Sequence, residues 1–236
     1  DVIDEGDIRR GNATVNRLFG NETAILAGDL LLSRASVICS SLDPEINKVI
    51  AFATSQVCEG ELAQLLQRDN FQLTEPEYIK IISQKTAALF SSCCKLGAVC
   101  SNASGDKVEA LNEFGKNIGI AFQITDDLLD IIGNEKQTGK TAGRDADKNK
   151  LTLSLIHKLS SVNEKEKMSL ILKIENSRQD RKVLAEILSN NGSLEYASKR
   201  AQHFVDLAID SLAAVSDSPA KQALLAIANF VTNRVA

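Results

Sequence analysis

Three aspartates inside an apolar segment between Ile118 and Ile132 have the residue type and spacing of a metal site. In a helix, Asp126 and Asp130 lie one turn apart on one face, and Asp127 flanks that face. Carboxylates at this spacing repel one another, whereas a hard divalent cation prefers oxygen ligands and is commonly held by a few carboxylates and substrate phosphates. The alternative is a helix C-terminal turn with solvated acids, although acids are unfavourable at the negative end of a helix dipole. We therefore predict that this segment binds metal.

A second acidic cluster lies near the start of the chain, where Asp1, Asp4 and Asp7 precede the adjacent pair Arg9 and Arg10. The planar guanidinium group makes bidentate contacts with phosphate, and two in a row can serve two different anions. Acids followed by paired arginines therefore suit a site that handles metal and phosphate together. A surface cluster of salt bridges is the alternative, and these residues in isolation favour it.

Lysines in two other places could contact the same phosphates. Lys85 stands beside Thr86 among apolar and small residues, so its ammonium either reaches water along an apolar face or points at a buried phosphate. The polar segment 133–149 follows the three aspartates, interleaves basic and acidic residues, and contains Lys140, with Lys150 just beyond it. A polar loop beside a site of this kind is predicted to act as a lid.

The elements that must position these residues are predicted to be helices. Apolar residues recur at spacings of three and four, no run alternates with period two, and Pro occurs only 3 times in 236 residues. No linker, repeat or low-complexity run divides the chain, so we predict one all-α domain over residues 1–236. Helices are predicted over residues 22–42, 45–68, 75–102, from 104 or 106 to 132, 151–159, 164–176, 181–188, 194–215 and from 219 to the end.

Local signals support several of these helix boundaries. Asp43 is predicted to cap a helix that begins at Pro44, and Thr74 is predicted to form a capping box with Glu77. Gly115 and Gly119 leave room for a close neighbour beside the aspartate-bearing helix. Residues 1–20 are predicted to form the end of a helix followed by a turn.

Composition argues against two classes of protein. The net charge of -4 is unlike that of a general nucleic-acid binder, and no apolar run reaches the roughly 18 residues that a membrane-spanning helix needs. The 5 cysteines include no Cys-x-x-Cys pair and are predicted to be small buried hydrophobic residues in a reducing, cytoplasmic compartment. Because the chain opens at Asp1 without an initiator Met, we expect an upstream part to be missing, and organellar import stays open.

Taken together, these features resemble the trans-prenyltransferase family, the head-to-tail polyprenyl diphosphate synthases, over the whole chain. The matching blocks, in family order, are Asp1-Val-Ile-Asp4 with Arg9-Arg10-Gly11, Gly28-Asp29, Gly60-Glu61-x-x-Gln64, Lys85-Thr86, Phe122-Gln123-x-x-Asp126-Asp127-x-x-Asp130, and Gly139-Lys140 with Asp145 and Lys150-Leu-Thr-Leu. The tail Gly192-Ser193-Leu194-Glu195-Tyr196-Ala197 is similar to long-chain members such as the octaprenyl synthases that supply ubiquinone side chains.

Two positions depart from the family pattern. The first aspartate-rich motif of the family opens with two adjacent aspartates, whereas here only Asp1 precedes Val2. Leu153 and Ser154 stand where many members have Leu-Pro, a change that we expect to be tolerated.

The resemblance implies a bundle of antiparallel helices of the isoprenoid synthase type around a central substrate cavity. It implies Mg²⁺-dependent condensation of isopentenyl diphosphate with an allylic prenyl diphosphate, which gives a longer trans-polyprenyl diphosphate, of long-chain length, and pyrophosphate. A homodimer is the expected assembly. The implied metal ligands are Asp1, Asp4, Asp126, Asp127 and Asp130. The implied allylic diphosphate contacts are Arg9, Lys85, Thr86, Gln123, Lys140 and Lys150, and the implied isopentenyl diphosphate contact is Arg10. The implied catalytic residues are Lys85, Lys140 and Asp126.

Three other functions would fit parts of the pattern: a non-catalytic partner subunit of a hetero-oligomeric prenyl synthase, a purely structural bundle, and a terpene cyclase. The residues that hold the growing chain are a separate question. Phe52 lies two turns before Glu59 on nearly the same helix face, and we expect its ring to form part of the tunnel floor.

Overall fold

A computed structural model describes residues 2–3, 6–9, 11–132, 150–177 and 180–234. The described chain is almost entirely helical, as predicted. Its helices are α1 (Val15–Phe19), α2 (Asn21–Cys39), α3 (Pro44–Leu66), α4 (Glu75–Ile82), α5 (Ala88–Cys100), α6 (Gly105–Ile132), α7 (Leu153–Ser160), α8 (Glu164–Asn176), α9 (Arg181–Ser189), α10 (Ser193–Ser211) and α11 (Pro219–Asn233). A π-helical turn (Ser83–Ala87) joins α4 to α5, and a 3₁₀ turn (Leu212–Ala214) follows α10.

Helix α6 is the centre of the core. It packs most extensively against α5 and α10, and it also contacts α7, α9 and α11. Its buried residues form a continuous cluster with apolar side chains from α4, α7 and α10, among them Ile82, Leu153 and Val205. The aspartate-bearing helix is thus held on several sides, which fixes the direction in which each of its polar side chains points.

The predicted helix starts are confirmed where local chemistry specified them. The Asp43 carboxylate accepts a hydrogen bond from the backbone N–H of Glu45 at 2.8 Å, and Pro44 is the first residue of α3. Ahead of α4, the backbone N–H and the hydroxyl of Thr74 both donate to Glu77, at 2.9 and 2.7 Å. These hydrogen bonds from Thr74 hold the pKa of Glu77 below its ordinary value.

The prediction for the first twenty residues was wrong in part. The expected helix end stays a prediction, because residues 1, 4 and 5 lie outside the described chain, but the turn expected after it contains two short antiparallel strands, β1 (Ile8–Arg9) and β2 (Asn12–Ala13), with Ile8 opposite Ala13. Gly11 lies in their connection with φ of 78°, a conformation that glycine adopts without strain. The hairpin then leads directly into α1.

The cysteine prediction was also wrong in part. All five thiols are free, but Cys58, Cys93 and Cys100 are exposed and the other two are half-buried. Burial raises the pKa of Cys94, which packs against the core. Among the described residues, none of the helices has the length and hydropathy that a membrane crossing needs.

Candidate active site

The π-helical turn Ser83–Ala87 carries the two residues that connect the site. A π-turn inserts one extra residue into a helix and is frequent at functional positions, because it redirects the neighbouring side chains. Here consecutive side chains reach two different helices. Lys85 bonds to α3, whereas Thr86 bonds to α6. The turn, which joins α4 to α5, therefore connects both α3 and α6 at one level of the bundle.

On the α3 side, a close backbone approach brings Lys85 within reach of two acceptors. A Cβ at Gly60 would lie 2.2 Å from the Lys85 backbone nitrogen, so only glycine allows α3 to approach the turn this closely. The Lys85 ammonium then lies 2.8 Å from Glu61 Oε2 and donates to Gln64 Oε1 at 2.6 Å. This ion pair is about four-fifths buried, since the two side chains are 20% and 25% exposed.

On the α6 side, a chain of hydrogen bonds runs from the π-turn into the core. The Thr86 hydroxyl donates to Gln123 Oε1 at 2.7 Å, and the Gln123 amide donates to Asp127 Oδ1 at 2.8 Å. The second carboxylate oxygen of Asp127 accepts from the Tyr78 hydroxyl at 2.6 Å. Both oxygens of this carboxylate therefore have partners inside the protein, and the side chain locks α6 against α4 and the π-turn.

The three aspartates of α6 do not share one face, contrary to the expectation for Asp127. That residue is only 8% exposed and turns towards Tyr78, whereas Asp126 and Asp130 are half-buried. An Asp126 oxygen lies 4.0 Å from the guanidinium of Arg234, which also stacks over the ring of Phe122 at 5.1 Å. The predicted metal role of Asp127 stays a prediction, and the contacts observed give it a positioning role.

The donors available for a metal are consistent with magnesium bound partly by substrate. Within the described ranges, no three His, Cys, Asp or Glu side chains form a group that could hold a metal by themselves. Asp126 and Asp130 remain as two carboxylates one turn apart, and Mg²⁺ is usually bound through one or two carboxylates together with substrate phosphates and water. The predicted metal role of these two residues stays a prediction, and this donor pair is compatible with it.

Other predicted site residues can be placed only in part. Arg9 is exposed in β1 and Lys150 is half-buried just ahead of α7, and their roles in substrate binding stay predictions. Asp1, Asp4, Arg10 and Lys140 lie outside the described residues, as does the predicted lid over residues 133–149.

Sequence reasoning missed Tyr78 and Arg234. Tyr78 is one of only two tyrosines, and a buried tyrosine hydroxyl usually has a hydrogen-bond partner, so its position in an apolar helix was a usable signal. Arg234 lies 108 residues after Asp126, a separation that no local pattern reveals.

A second polar network supports the start of α4. The Glu75 carboxylate accepts from the Tyr196 hydroxyl at 2.5 Å and from Arg200 Nε at 2.8 Å, and the Tyr196 ring stacks on His157. The hydrogen bond to Glu75 raises the pKa of Tyr196. This network joins α4 to α10 and keeps Tyr78, one turn further along α4, at a fixed height beside Asp127.

Phe52 is not placed where a tunnel floor was expected. Its ring is 65% exposed and borders a cavity of about 510 Å³ between α3, α5 and α6. Most of the residues that line this cavity are polar or charged, among them Lys48, Lys95 and Lys116. Phe52 lies twelve residues before Gln64 and thus about 120° around the helix from it. The face of α3 that points towards Lys85 instead continues downwards through Val57 and Ile50.

Comparisons with known proteins agree with this geometry. Residues 1–190 match the family model described as polyprenyl synthetase. The chain is 36% identical over 242 residues to a short chain isoprenyl diphosphate synthase of Methanothermobacter thermautotrophicus, covering 99% of the chain and 74% of the relative. It is 33% identical over 237 residues to the octaprenyl diphosphate synthase of Escherichia coli, covering 99% and 73%.

One solved structure is similar over the full chain. It is a polyprenyl synthase from Caulobacter crescentus complexed with calcium and isoprenyl diphosphate, and the TM-score is 0.91 at 31% identity. The match covers 100% of this chain and 73% of that protein. The described helices therefore have the arrangement of an isoprenoid synthase fold, as predicted.

Proposed function

Since the chain belongs to the polyprenyl synthetase family and is a prenyltransferase, we propose that it condenses isopentenyl diphosphate with an allylic prenyl diphosphate. The observation that carries this proposal is the connected set of polar side chains around the π-turn. Lys85 and Thr86 lie side by side between Gln64 of α3 and Gln123 of α6, one turn below Asp126. A cationic donor, neutral amides and half-buried carboxylates at one level suit a metal-bound diphosphate.

The reaction begins with ionisation of the allylic substrate. The bond between C1 and the diphosphate oxygen breaks, its electron pair leaves with pyrophosphate, and an allyl cation remains. Lys85 has three N–H donors, of which Glu61 and Gln64 accept two, and a phosphate oxygen can accept the third. A donor placed where negative charge develops lowers the barrier, because its orientation is set before the reaction.

Carbon–carbon bond formation then consumes the cation. The double bond of isopentenyl diphosphate attacks C1, and the adduct loses a proton to the departing pyrophosphate, so the protein supplies no nucleophile. Mg²⁺ held by Asp126 and Asp130 would neutralise part of the negative charge on the leaving group. Support for a divalent cation comes from this donor pair and from the Caulobacter relative, whose solved complex contains calcium and isoprenyl diphosphate.

Asp127 and Tyr78 contribute to the site by holding α6 rigid. Their hydrogen bond, together with that of Gln123, fixes the rotation of α6 about its axis. Because Asp126 and Asp130 point where that rotation places them, a small change in it would move both carboxylates. Positioning of this kind can account for large losses of rate when a supporting contact is removed.

The product is proposed to be a long-chain polyprenyl diphosphate. The similarity of the segment around Tyr196 to octaprenyl-type synthases supports this, as does the apolar stripe of Val57, Ile50 and Ile46 below Gln64. Relatives at similar identity include both short chain and octaprenyl enzymes, so product length is the property that most needs measurement.

The assembly is proposed to be a homodimer that covers the exposed apolar residues of α2. Seven large apolar residues of this helix are more than half exposed, namely Ile25, Leu26, Leu30, Leu31, Leu32, Val37 and Ile38. Monomeric proteins rarely expose contiguous apolar patches of this extent. A second copy of the chain would contribute its own α2 to a two-fold interface.

The decisive experiment measures incorporation of labelled isopentenyl diphosphate into an extractable prenyl product, with and without Mg²⁺, using allylic substrates of several lengths. We expect product only when the divalent cation and an allylic substrate are both present. A well-folded protein that binds both substrates without forming product would instead fit a non-catalytic subunit of a hetero-oligomeric synthase.

A further inference from the structure

Arg68 is a cation next to the site that the proposed mechanism does not use. It follows the end of α3, four residues after Gln64 and seven after Glu61, so all three lie on nearly the same side of the helix. The backbone N–H of Arg68 still bonds to the carbonyl of Leu65, which continues the helical turn. Arg68 is therefore directed from the same face of α3 that contacts Lys85.

Arg68 is half-buried, and two of the three nitrogens of its guanidinium group are buried without their usual partners. In the part of the chain that the structure describes, its Nε and Nη2 atoms are shielded from solvent and have no hydrogen-bond acceptor. Buried guanidinium groups are almost always paired, because an unpaired buried charge is strongly unfavourable. An exception of this kind indicates a missing acceptor, such as a bound ion or ligand.

The charges around Lys85 indicate which acceptor the Arg68 guanidinium group could bind. The ammonium of Lys85 is already neutralised by Glu61 at 2.8 Å, so the pair presents little net charge to an anion. A diphosphate bound there would need a second cation on the same side. Among the described residues, no carboxylate forms an ion pair with Arg68, which lies one helical turn from Gln64 and whose planar fork matches two phosphate oxygens.

We propose that Arg68 binds a phosphate oxygen of the diphosphate that also contacts Lys85, and so acts as an additional substrate-binding residue. This proposal rests on the proposed function, since it assigns a further ligand in the same diphosphate site. In the ligand-free protein, Arg68 lowers the free energy of unfolding, because its buried charge has no partner among the described residues. In the complex, it contributes two charge-assisted hydrogen bonds through Nε and Nη2.

Inorganic pyrophosphate with Mg²⁺ is the probe for this contact, measured by calorimetry on the whole protein. Three variants are compared with the parent: Arg68→Met, which keeps the length of the side chain and removes the charge; Arg68→Lys, which keeps the charge and removes the fork; and Arg34→Met, which removes an exposed guanidinium of α2. Thermal unfolding of each variant is followed with and without pyrophosphate.

We expect Arg68→Met to raise the midpoint of unfolding of the ligand-free protein by about 2–4 °C, because a buried unpaired charge is removed. The same variant should bind pyrophosphate roughly 10- to 100-fold more weakly, the usual effect of losing charge-assisted hydrogen bonds. Arg68→Lys should bind with intermediate affinity, and Arg34→Met should bind as the parent does. A residue with only a structural role would not move stability and affinity in opposite directions.

The outcomes separate this proposal from the function on which it rests. If the parent binds pyrophosphate and Arg68→Met binds equally well, the proposal for Arg68 is wrong and the prenyltransferase site stands. If Arg68→Met loses stability, Arg68 has a structural partner, and the proposal is also wrong. If the parent fails to bind pyrophosphate with Mg²⁺, the proposed diphosphate site itself is overturned, and Arg68 with it.

Discussion

Helices α2 and α6 are both long and rich in apolar residues, yet they have opposite environments. None of the described residues of α2 is buried, whereas α6 has twelve buried residues, including the polar side chains of Thr125 and Asp127. The difference lies in their neighbours. Helix α6 is surrounded by α5, α10, four other helices and two short helical turns, while α2 packs mainly on the short helix α1.

Glycine shows how the two environments differ at the level of single atoms. In α6, a Cβ on Gly119 would lie 2.4 Å from the Cα of Ala87, so the backbones of the π-turn and α6 are almost in contact. In α2, apart from the neighbouring residues of the helix itself, no atom of the described residues lies within 4 Å of the Cβ position of Gly28. One helix is enclosed by other elements of the described chain, and the other, in the proposed homodimer, would be covered by a second copy of the chain. Substitutions in α6 should therefore alter fold and catalysis, and those in α2 should alter association.

The largest expected effect is the loss of turnover on removing a carboxylate of α6. Asp126→Asn replaces an anionic oxygen with an amide of the same shape, so a metal–diphosphate complex loses one charged ligand. We expect kcat to fall by about 10²–10³, the usual effect of losing one contact that stabilises developing charge. The thermal midpoint should be unchanged or slightly higher, because repulsion with Asp130 is relieved.

Asp210→Asn is the matched control for this experiment. It removes the same charge from an exposed position on α10 and should leave turnover unaltered. Wild-type turnover in Asp126→Asn, with Mg²⁺ still required, would exclude Asp126 from the metal site.

The contrast between α2 and α6 also explains what the sequence could predict. The helices from α2 onwards and the capped starts at Pro44 and Glu75 followed from local spacing, because hydrophobic periodicity and capping residues act over a few positions. The grouping of Lys85, Thr86 and Gln123 was available through family resemblance. The inward orientation of Asp127 could not be predicted, since it depends on Tyr78, a residue 49 positions away. The exposure of α2 was equally inaccessible, because an apolar helix pattern does not specify which surface covers it.

The second prediction tests the apolar face of α2. Leu31 is 72% exposed, and Leu31→Glu would place a carboxylate inside the proposed two-fold interface. Because an unpaired charge is unfavourable in an apolar contact, we expect the dissociation constant of the dimer to increase by at least about tenfold. Sedimentation velocity across a concentration series measures it. An unchanged sedimentation profile, with a dimer still present, would place the interface elsewhere.

The third prediction compares the two glycines directly. Gly119→Ala should destabilise the fold by about 1–3 kcal/mol, the typical cost of overpacking, because the π-turn and α6 must separate. Gly28→Ala should stabilise it by roughly 0.5–1 kcal/mol, since alanine is the better helix former and meets no obstacle. Urea unfolding of both variants gives the two free energies. A loss of stability in Gly28→Ala would show that another surface packs closely against α2 at this point.

The smallest expected effect concerns α3, which has one face that packs towards Lys85 and another that is exposed. Gln64 and Glu61 point towards Lys85, and Val57 and Ile50 continue this face about 10 and 21 Å further down the helix. Phe52 lies on the exposed side and borders the polar cavity. If the growing chain runs down from the diphosphate site, it meets the half-buried Val57 first and Ile50 later, and it does not meet Phe52.

We therefore expect Ile50→Ala to shift the products towards longer chains, because it removes a side chain from the deeper part of the channel while kcat for the first condensation stays near its parent value. Val57→Ala lies closer to the diphosphate and should have a smaller effect on final length, since chains already pass this level. Phe52→Ala is the matched control on the opposite face and should leave the product distribution as in the parent. Chromatography of dephosphorylated products from one allylic primer resolves the three variants. A longer product from Phe52→Ala with no change in Ile50→Ala would mean that the chain follows the polar cavity side of α3, and that the face defined by Lys85 does not extend into the channel.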